Sequence, residues 1–153
     1  MSSRTVLFLV LAIVLLVGIP AILVAKTDAC PTAVKDAALK AYPSAKVTAC
    51  KEEKEKGKVQ YEVKLETKEA KKLELDVSPE GAILLTEEPA ALDLVPKAVT
   101  AAFEAKYPKM KATRATKQTR PDGTITYELA WSDAKGKRHE ATFKDDGTFV
   151  EEE

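Results

Sequence analysis

The sequence predicts an α+β fold in which an N-terminal membrane segment is followed by two tandem repeats, each a helix plus a four-stranded antiparallel sheet. Three observations carry this. A stretch near the N-terminus is uncharged over the length of a membrane span, the rest of the chain superimposes on itself, and in each half the apolar spacing changes from three-and-four to two.

The 153 residues, 45% hydrophobic and 31% charged, suffice for one domain or two very small ones. Lys and Arg number 24 and balance 24 Asp and Glu, with the two signs interspersed, so the basic field a nucleic-acid binder needs is absent. From Thr5 to Ala25 no residue is charged, which matches the ~20 residues a helix needs to cross the hydrocarbon. Arg4 precedes the stretch, as it would in a signal peptide or in an anchor with a cytoplasmic N-terminus. Gly18, Pro20 and the small residues around Thr27–Ala29 favour cleavage, whereas the unbroken length favours retention, so residues 1–27 stand as signal peptide or membrane anchor. Cys30 lacks the Leu three residues earlier that lipid attachment requires. Both readings place the remainder outside the cytoplasm: periplasmic, secreted or membrane-anchored facing outward.

Laying Asp28 over Asp93 aligns DACPTAVKDAALKAYPSAKVT with DLVPKAVTAAFEAKYPKMKAT, so that Pro31, Val34, Tyr42 and Pro43 meet Pro96, Val99, Tyr107 and Pro108. One residue further on, YEVKL at Tyr61 meets YELAW at Tyr127. The chain therefore divides into a first repeat at 28–88, a linker at 89–95 and a second repeat at 96–153. A unit of about 60 residues buries only about 60% of its surface, so the two copies are expected to pack together.

Each repeat opens with a helix. Pro31 and Pro96 suit the first helical position, Asp28 and Asp93 sit near the positive end of the dipole, and Pro43 and Pro108 forbid continuation. Val34, Ala37, Ala38 and Ala41, and then Val99, Ala102 and Phe103, form one apolar face. The period then becomes two. Val59, Tyr61, Val63 and Leu65 alternate with polar residues, as do Leu73, Leu75 and Val77; Ile125, Tyr127, Leu129 and Trp131, then His139, Ala141 and Phe143, repeat the pattern. Gly57, Gly81, Gly123, Gly136 and Gly147 mark the turns. The helix is expected to cover one sheet face and leave the other wet.

The run P-x-A-V-x-x-A-x-x-x-x-Y-P, the lysine-rich strands after it and the D-x-G before a closing acidic strand resemble the PepSY-like family, which is related in shape to the β-lactamase-inhibitor protein fold. The resemblance covers residues 28–153. It implies extracytoplasmic bacterial proteins with a tandem helix-on-sheet fold and a role in binding or inhibiting secreted enzymes, and it brings no catalytic residue with it.

The residues themselves offer little catalytic chemistry. The single histidine, His139, falls on the inward register of a strand where the first repeat has Leu73, and neither a partner nor a cleft is evident beside it. No nucleophile elbow, zinc-protease helix, C-x-x-C or phosphate loop is present. The acidic runs Glu87–Glu88, Asp145–Asp146 and Glu151–Glu153 are consecutive residues, not the alternating ligands of a calcium loop. Neither a metal nor a cofactor is expected, nor enzymatic activity.

The wet sheet face is the candidate surface for a protein partner. Glu62, Lys64, Glu66, Lys72, Glu74 and Asp76, with Glu128, Arg138, Glu140 and Lys144, point away from the helices by strand alternation, and the same charges also serve solubility. An extracytoplasmic module that binds a protein and inhibits a secreted or envelope enzyme is one reading; a membrane-tethered structural or sensory domain is the alternative. The two cysteines, Cys30 and Cys50, are expected to form a disulfide. A helix from Pro31 advances about 18 Å, and the following strand returns about 17 Å, which brings them level. Their counterparts, Val95 and Ala115, are both apolar.

Overall fold

The computed structural model describes residues 30–152. The uncharged stretch Thr5–Ala25, expected to be a signal peptide or membrane anchor, and Asp28 lie outside the described residues; within those described, no helix is long and apolar enough to cross a membrane. The first repeat comprises α1 (Thr32–Ala41), β1 (Lys46–Glu55), β2 (Lys58–Glu66), β3 (Lys72–Val77) and β4 (Ile83–Ala90). A single 3-10 turn, Leu92–Leu94, leads to α2 (Lys97–Lys106), β5 (Arg114–Thr119), β6 (Ile125–Ser132), β7 (Arg138–Lys144) and β8 (Phe149–Glu152).

Both helices start one residue later than expected. Pro31 and Pro96 are the capping residues, with extended ψ, and the Pro31 carbonyl accepts the N–H of Lys35 at 3.0 Å. Val34 and Ala38 on α1, and Val99 and Phe103 on α2, are buried against the sheet. A glycine seats each helix. A Cβ on Gly81 would lie 2.8 Å from the Ala33 carbonyl oxygen, and one on Gly147 would lie 2.6 Å from that of Ala98. Both glycines have φ near +90°, so the turn before each closing strand and the approach of the helix above it demand the same residue.

The strands do not form two four-stranded sheets. They form one eight-stranded antiparallel sheet in chain order β1 to β8. The joint is β4–β5, where Thr86 stands opposite Thr119, Glu88 opposite Lys117 and Ala90 opposite Ala115. Separate sheets would leave two further strand edges with unpaired backbone groups; joining them satisfies both. Pro89 and Ala90, expected in the linker, instead complete β4 and pair with β5 at this joint. Each helix covers its own core. In the first repeat it is aliphatic, with Val34, Val63, Leu65, Leu75 and Val77 buried; in the second it is aromatic, with Phe103, Trp131 and Phe143.

The expected alternation fails at one end of β2, where Val59 is 36% exposed and Gln60 only 8%. β2 pairs with β3 only from Tyr61 to Glu66, so the β1–β2 hairpin projects past the helix that would cover Val59. Its Lys56–Gly57 turn has two positive φ values, the geometry that fits the strand twist. The Lys56 ammonium lies 3.7 Å from Glu151 on β8, so the sheet curls until its first and last strands approach at that end.

Candidate protein-binding face

Strand register places every residue of the candidate partner surface on the face without helices. Lys64 stands opposite Glu74, Glu66 opposite Lys72, Glu62 opposite Asp76, Ala130 opposite Glu140 and Ser132 opposite Arg138. Because the sheet is continuous, the two halves of this surface form one face.

Its charges pair with one another. The Lys64 ammonium sits 3.1 Å from Glu62 and 3.2 Å from Glu74. In the second repeat Arg114, which the sequence reading did not single out, reaches Glu140 at 2.7 Å and Glu128 at 3.4 Å, and Arg138 also pairs with Glu140. Arg114 opens β5, and only the β4–β5 joint brings it beside both repeats. A cleft of about 120 Å³ lies at that joint, lined by Lys72, Glu74 and Glu87 from one repeat and Arg114, Thr116 and Glu128 from the other.

The face is not uniformly wet, contrary to expectation. Gln60, Gln118, Thr126 and Thr142 all lie on it and are buried. The curl of the sheet turns the face concave, so that its side chains shield one another. A polar seam crosses it: Gln118 Nε2 donates to Glu87 at 2.8 Å, and Thr126 Oγ1 donates to Gln118 Oε1 at 2.9 Å. Beside the seam, burial pushes the Asp76 carboxyl up to about 7, and Glu87, Glu55, Glu62 and Glu53 push the same way. Burial also raises Glu87 against the opposing Gln118 hydrogen bond. Among the described residues no cluster of three or more metal-type ligands forms.

His139 does have a partner. Its Nε2 lies 3.4 Å from Asp133 Oδ2, and its ring stacks on Trp131 with centroids 5.4 Å apart. Asp133 is committed to the β6–β7 turn, where the N–H groups of Lys137 and Lys135 donate to its Oδ1 at 2.9 and 2.8 Å and hold its carboxyl below the usual range. The pair ties a hairpin to the aromatic core. The disulfide forms as expected, joining Cys30 to Cys50 with Cα atoms 5.5 Å apart. Val95 and Ala115 occupy the same places in the second repeat and are 5% and 1% exposed.

The duplicated helix-on-sheet unit decides the family. A family model described as "Putative beta-lactamase-inhibitor-like, PepSY-like" matches residues 22–85 and again 86–151. The chain belongs to the PepSY-like family. Three solved structures show the same fold. A protein from Bacteroides eggerthii described as one of its "putative periplasmic proteins" superimposes with a TM-score of 0.64 at 18% identity, over 81% of this chain and 88% of that one. A DUF2874 family protein from Bacteroides uniformis gives 0.65 at 17% identity, over 81% and 88%. A "BLIP-like protein" from Bacteroides fragilis gives 0.57 at 23% identity, over 79% and 83%. No curated protein matches the chain in sequence. As a PepSY-like protein the chain has an inhibitor-like fold, and the family description names no catalytic activity.

Proposed function

We propose that this PepSY-like protein is an extracytoplasmic protein-binding module that docks a secreted or envelope enzyme on its concave polar sheet face and blocks it. The carrying observation is the β4–β5 joint, which merges two marginal repeats into one helix-free face with complementary charges from both. A standard interface needs roughly 800 Å² per partner, and an eight-stranded face offers more surface than either repeat alone. The disulfide and the uncharged stretch Thr5–Ala25 support placement outside the cytoplasm, where such bonds persist, as does the periplasmic description of a structural relative.

The test has two parts. A reporter active only outside the cytoplasm, fused after Glu153, is expected to be active; an expressed but silent fusion overturns the placement. The full chain, used as bait in envelope extract, is expected to retain an enzyme whose activity falls on binding. Lys64→Glu with Arg138→Glu is expected to weaken that capture with circular dichroism unchanged, because both reversals replace paired cations on the face. If capture survives these changes and a substitution at His139 abolishes it, the face is the wrong surface.

A further inference from the structure

The opposite side of the sheet carries a second feature, which the polar face does not involve. Equivalent helices on consecutive repeats are four strands apart, and strands are spaced at about 4.8 Å, so α1 and α2, on the convex side, lie at least about 19 Å apart across the sheet. Packed helices lie about 8–10 Å apart, so this spacing leaves room for one more helix between them. The space is open. One cavity of about 590 Å³ lies along α1, with Ala41, Ile83, Thr86, Thr119 and Pro121 among its walls. A second, of about 550 Å³, includes Tyr42, Glu88, Ala90, Leu94 and Lys117. Thr86–Thr119, Glu88–Lys117 and Ala90–Ala115 are successive same-face pairs of the β4–β5 joint, so the two cavities lie end to end along it. From Ile83 to Ala90 the groove runs about 25 Å. Leu94 stands at its mouth, 76% exposed.

The charges of the groove are one-sided. Lys40 and Arg120 are among the residues lining the first cavity and Lys71 and Lys117 among those lining the second, with the carboxylate of Glu88 standing opposite Lys117. Lys40, Lys71 and Lys117 form no ion pair within 4 Å among the described residues, although Lys71 helps to hold the Glu69 carboxyl low, whereas Lys64, Arg114 and Arg138 on the polar face are all paired. Apolar walls that include Ala41, Ile83, Pro121, Ala90 and Leu94, set beside these cations, are complementary to one kind of occupant. We propose that the groove between α1 and α2 docks an acidic amphipathic helix of a protein partner, its apolar face on Ala41, Ile83, Ala90 and Leu94 and its carboxylates toward Lys40, Lys71 and Lys117. This is helix-in-groove recognition, with the docked helix completing the helical layer over the sheet.

The probe is a fluorescently labelled peptide of about 16 residues, the helix length that spans about 25 Å. It is built of Leu, Ala and Glu, with Leu along one face. Anisotropy is read on titration with the full chain in zwitterionic nanodiscs, with empty nanodiscs as the blank. Saturable binding is expected. Lys71→Glu with Lys117→Glu should weaken it roughly tenfold, Lys40→Glu alone should weaken it less, and Lys64→Glu on the polar face should leave it unchanged. The same peptide with Lys in place of Glu should bind at least about tenfold more weakly. The proposal is overturned if no saturable binding occurs, if the lysine peptide binds as well, or if the double reversal has no effect while circular dichroism shows the fold intact.

Discussion

The two repeats share one backbone plan and hold it by different means. Position by position, Ala38 in the first faces the place of Phe103 in the second, Leu65 that of Trp131 and Val77 that of Phe143. The second repeat thus fills its core with interlocking rings: Phe103 lies 5.2 Å from Trp131, edge-on, and 5.3 Å from Tyr107. The first has no buried aromatic ring in its cluster, and it has instead the Cys30–Cys50 bond where the second packs Val95 against Ala115. Burial stabilises the native state in proportion to the apolar area removed from water, whereas a disulfide acts mainly by limiting the unfolded chain. One repeat is held chiefly by what its folded core excludes, the other in part by what its unfolded chain is denied.

The largest effect should come from breaking the aromatic side of this contrast. Phe103 is 3% exposed and touches three rings, so Phe103→Ala should cost about 3–5 kcal/mol, read from the urea midpoint with the slope unchanged. A loss below about 1 kcal/mol would mean that the second core collapses around the gap and is no more tightly held than the first. Next in size, Cys30→Ala with Cys50→Ala opens a loop with a sequence separation of 20 and should cost about 3 kcal/mol. Adding reductant to the unmodified protein should reproduce that loss and leave the double variant unaffected. The sites lie in different clusters, so the two costs should add within about 0.5 kcal/mol. Strong non-additivity would show that the joined sheet couples the cores.

Much of this plan is legible in the sequence because local chemistry writes it. The prolines bound both helices, the two-residue alternation fixes the inward registers of β3, β6 and β7, and helix and strand rises alone bring Cys30 level with Cys50. The β4–β5 joint is not legible. Its facing residues, Thr86, Glu87 and Glu88 against Thr119, Gln118 and Lys117, are polar and bear no apolar pattern, and the pairing depends on edges left over by the rest of the sheet. The same holds for what the joint creates: Arg114 beside Glu87 of the first repeat, the groove between the helices, and the concavity that buries Gln60 and exposes Val59. Asp133 was hidden for a different reason. It is six residues from His139, and only the hairpin register brings the two side chains together. A Pro-Asp-Gly or Asp-x-x-Gly turn reads as punctuation until the strands on either side are paired.

The contrast between repeats also extends to a charge, and here the expected effect is smaller and of opposite sign. Asp76 on β3 has the buried Thr142 as its counterpart on β7, so the first repeat places an acid where the second is neutral. Burial, then Glu87, Glu55, Glu62 and Glu53, raise its folded-state value to about 7 from 3.8. Lys64, on the neighbouring strand β2, is engaged by Glu62 and Glu74. A carboxyl raised on folding binds its proton more tightly in the native state, so the stability it contributes is complete below about pH 4 and is lost as pH rises toward about 7. Glu87, also raised, adds to the same slope. Asp122 and Asp133 are held low chiefly by turn N–H groups and Asp146 by the Thr148 hydroxyl and then its N–H, and they act in the reverse sense, with stability lost as pH falls through their depressed values, so their window lies below this one. Asp76→Asn keeps the shape and removes the charge. It should raise stability at pH 8 by about 1–2 kcal/mol after allowing for solvent screening, and flatten the decline between pH 4 and 7. Urea titrations at pH 5 and pH 8 measure both. If the variant and the parent decline in parallel, the acid is solvated in the folded protein, and the concave face does not shield its side chains as the structure shows.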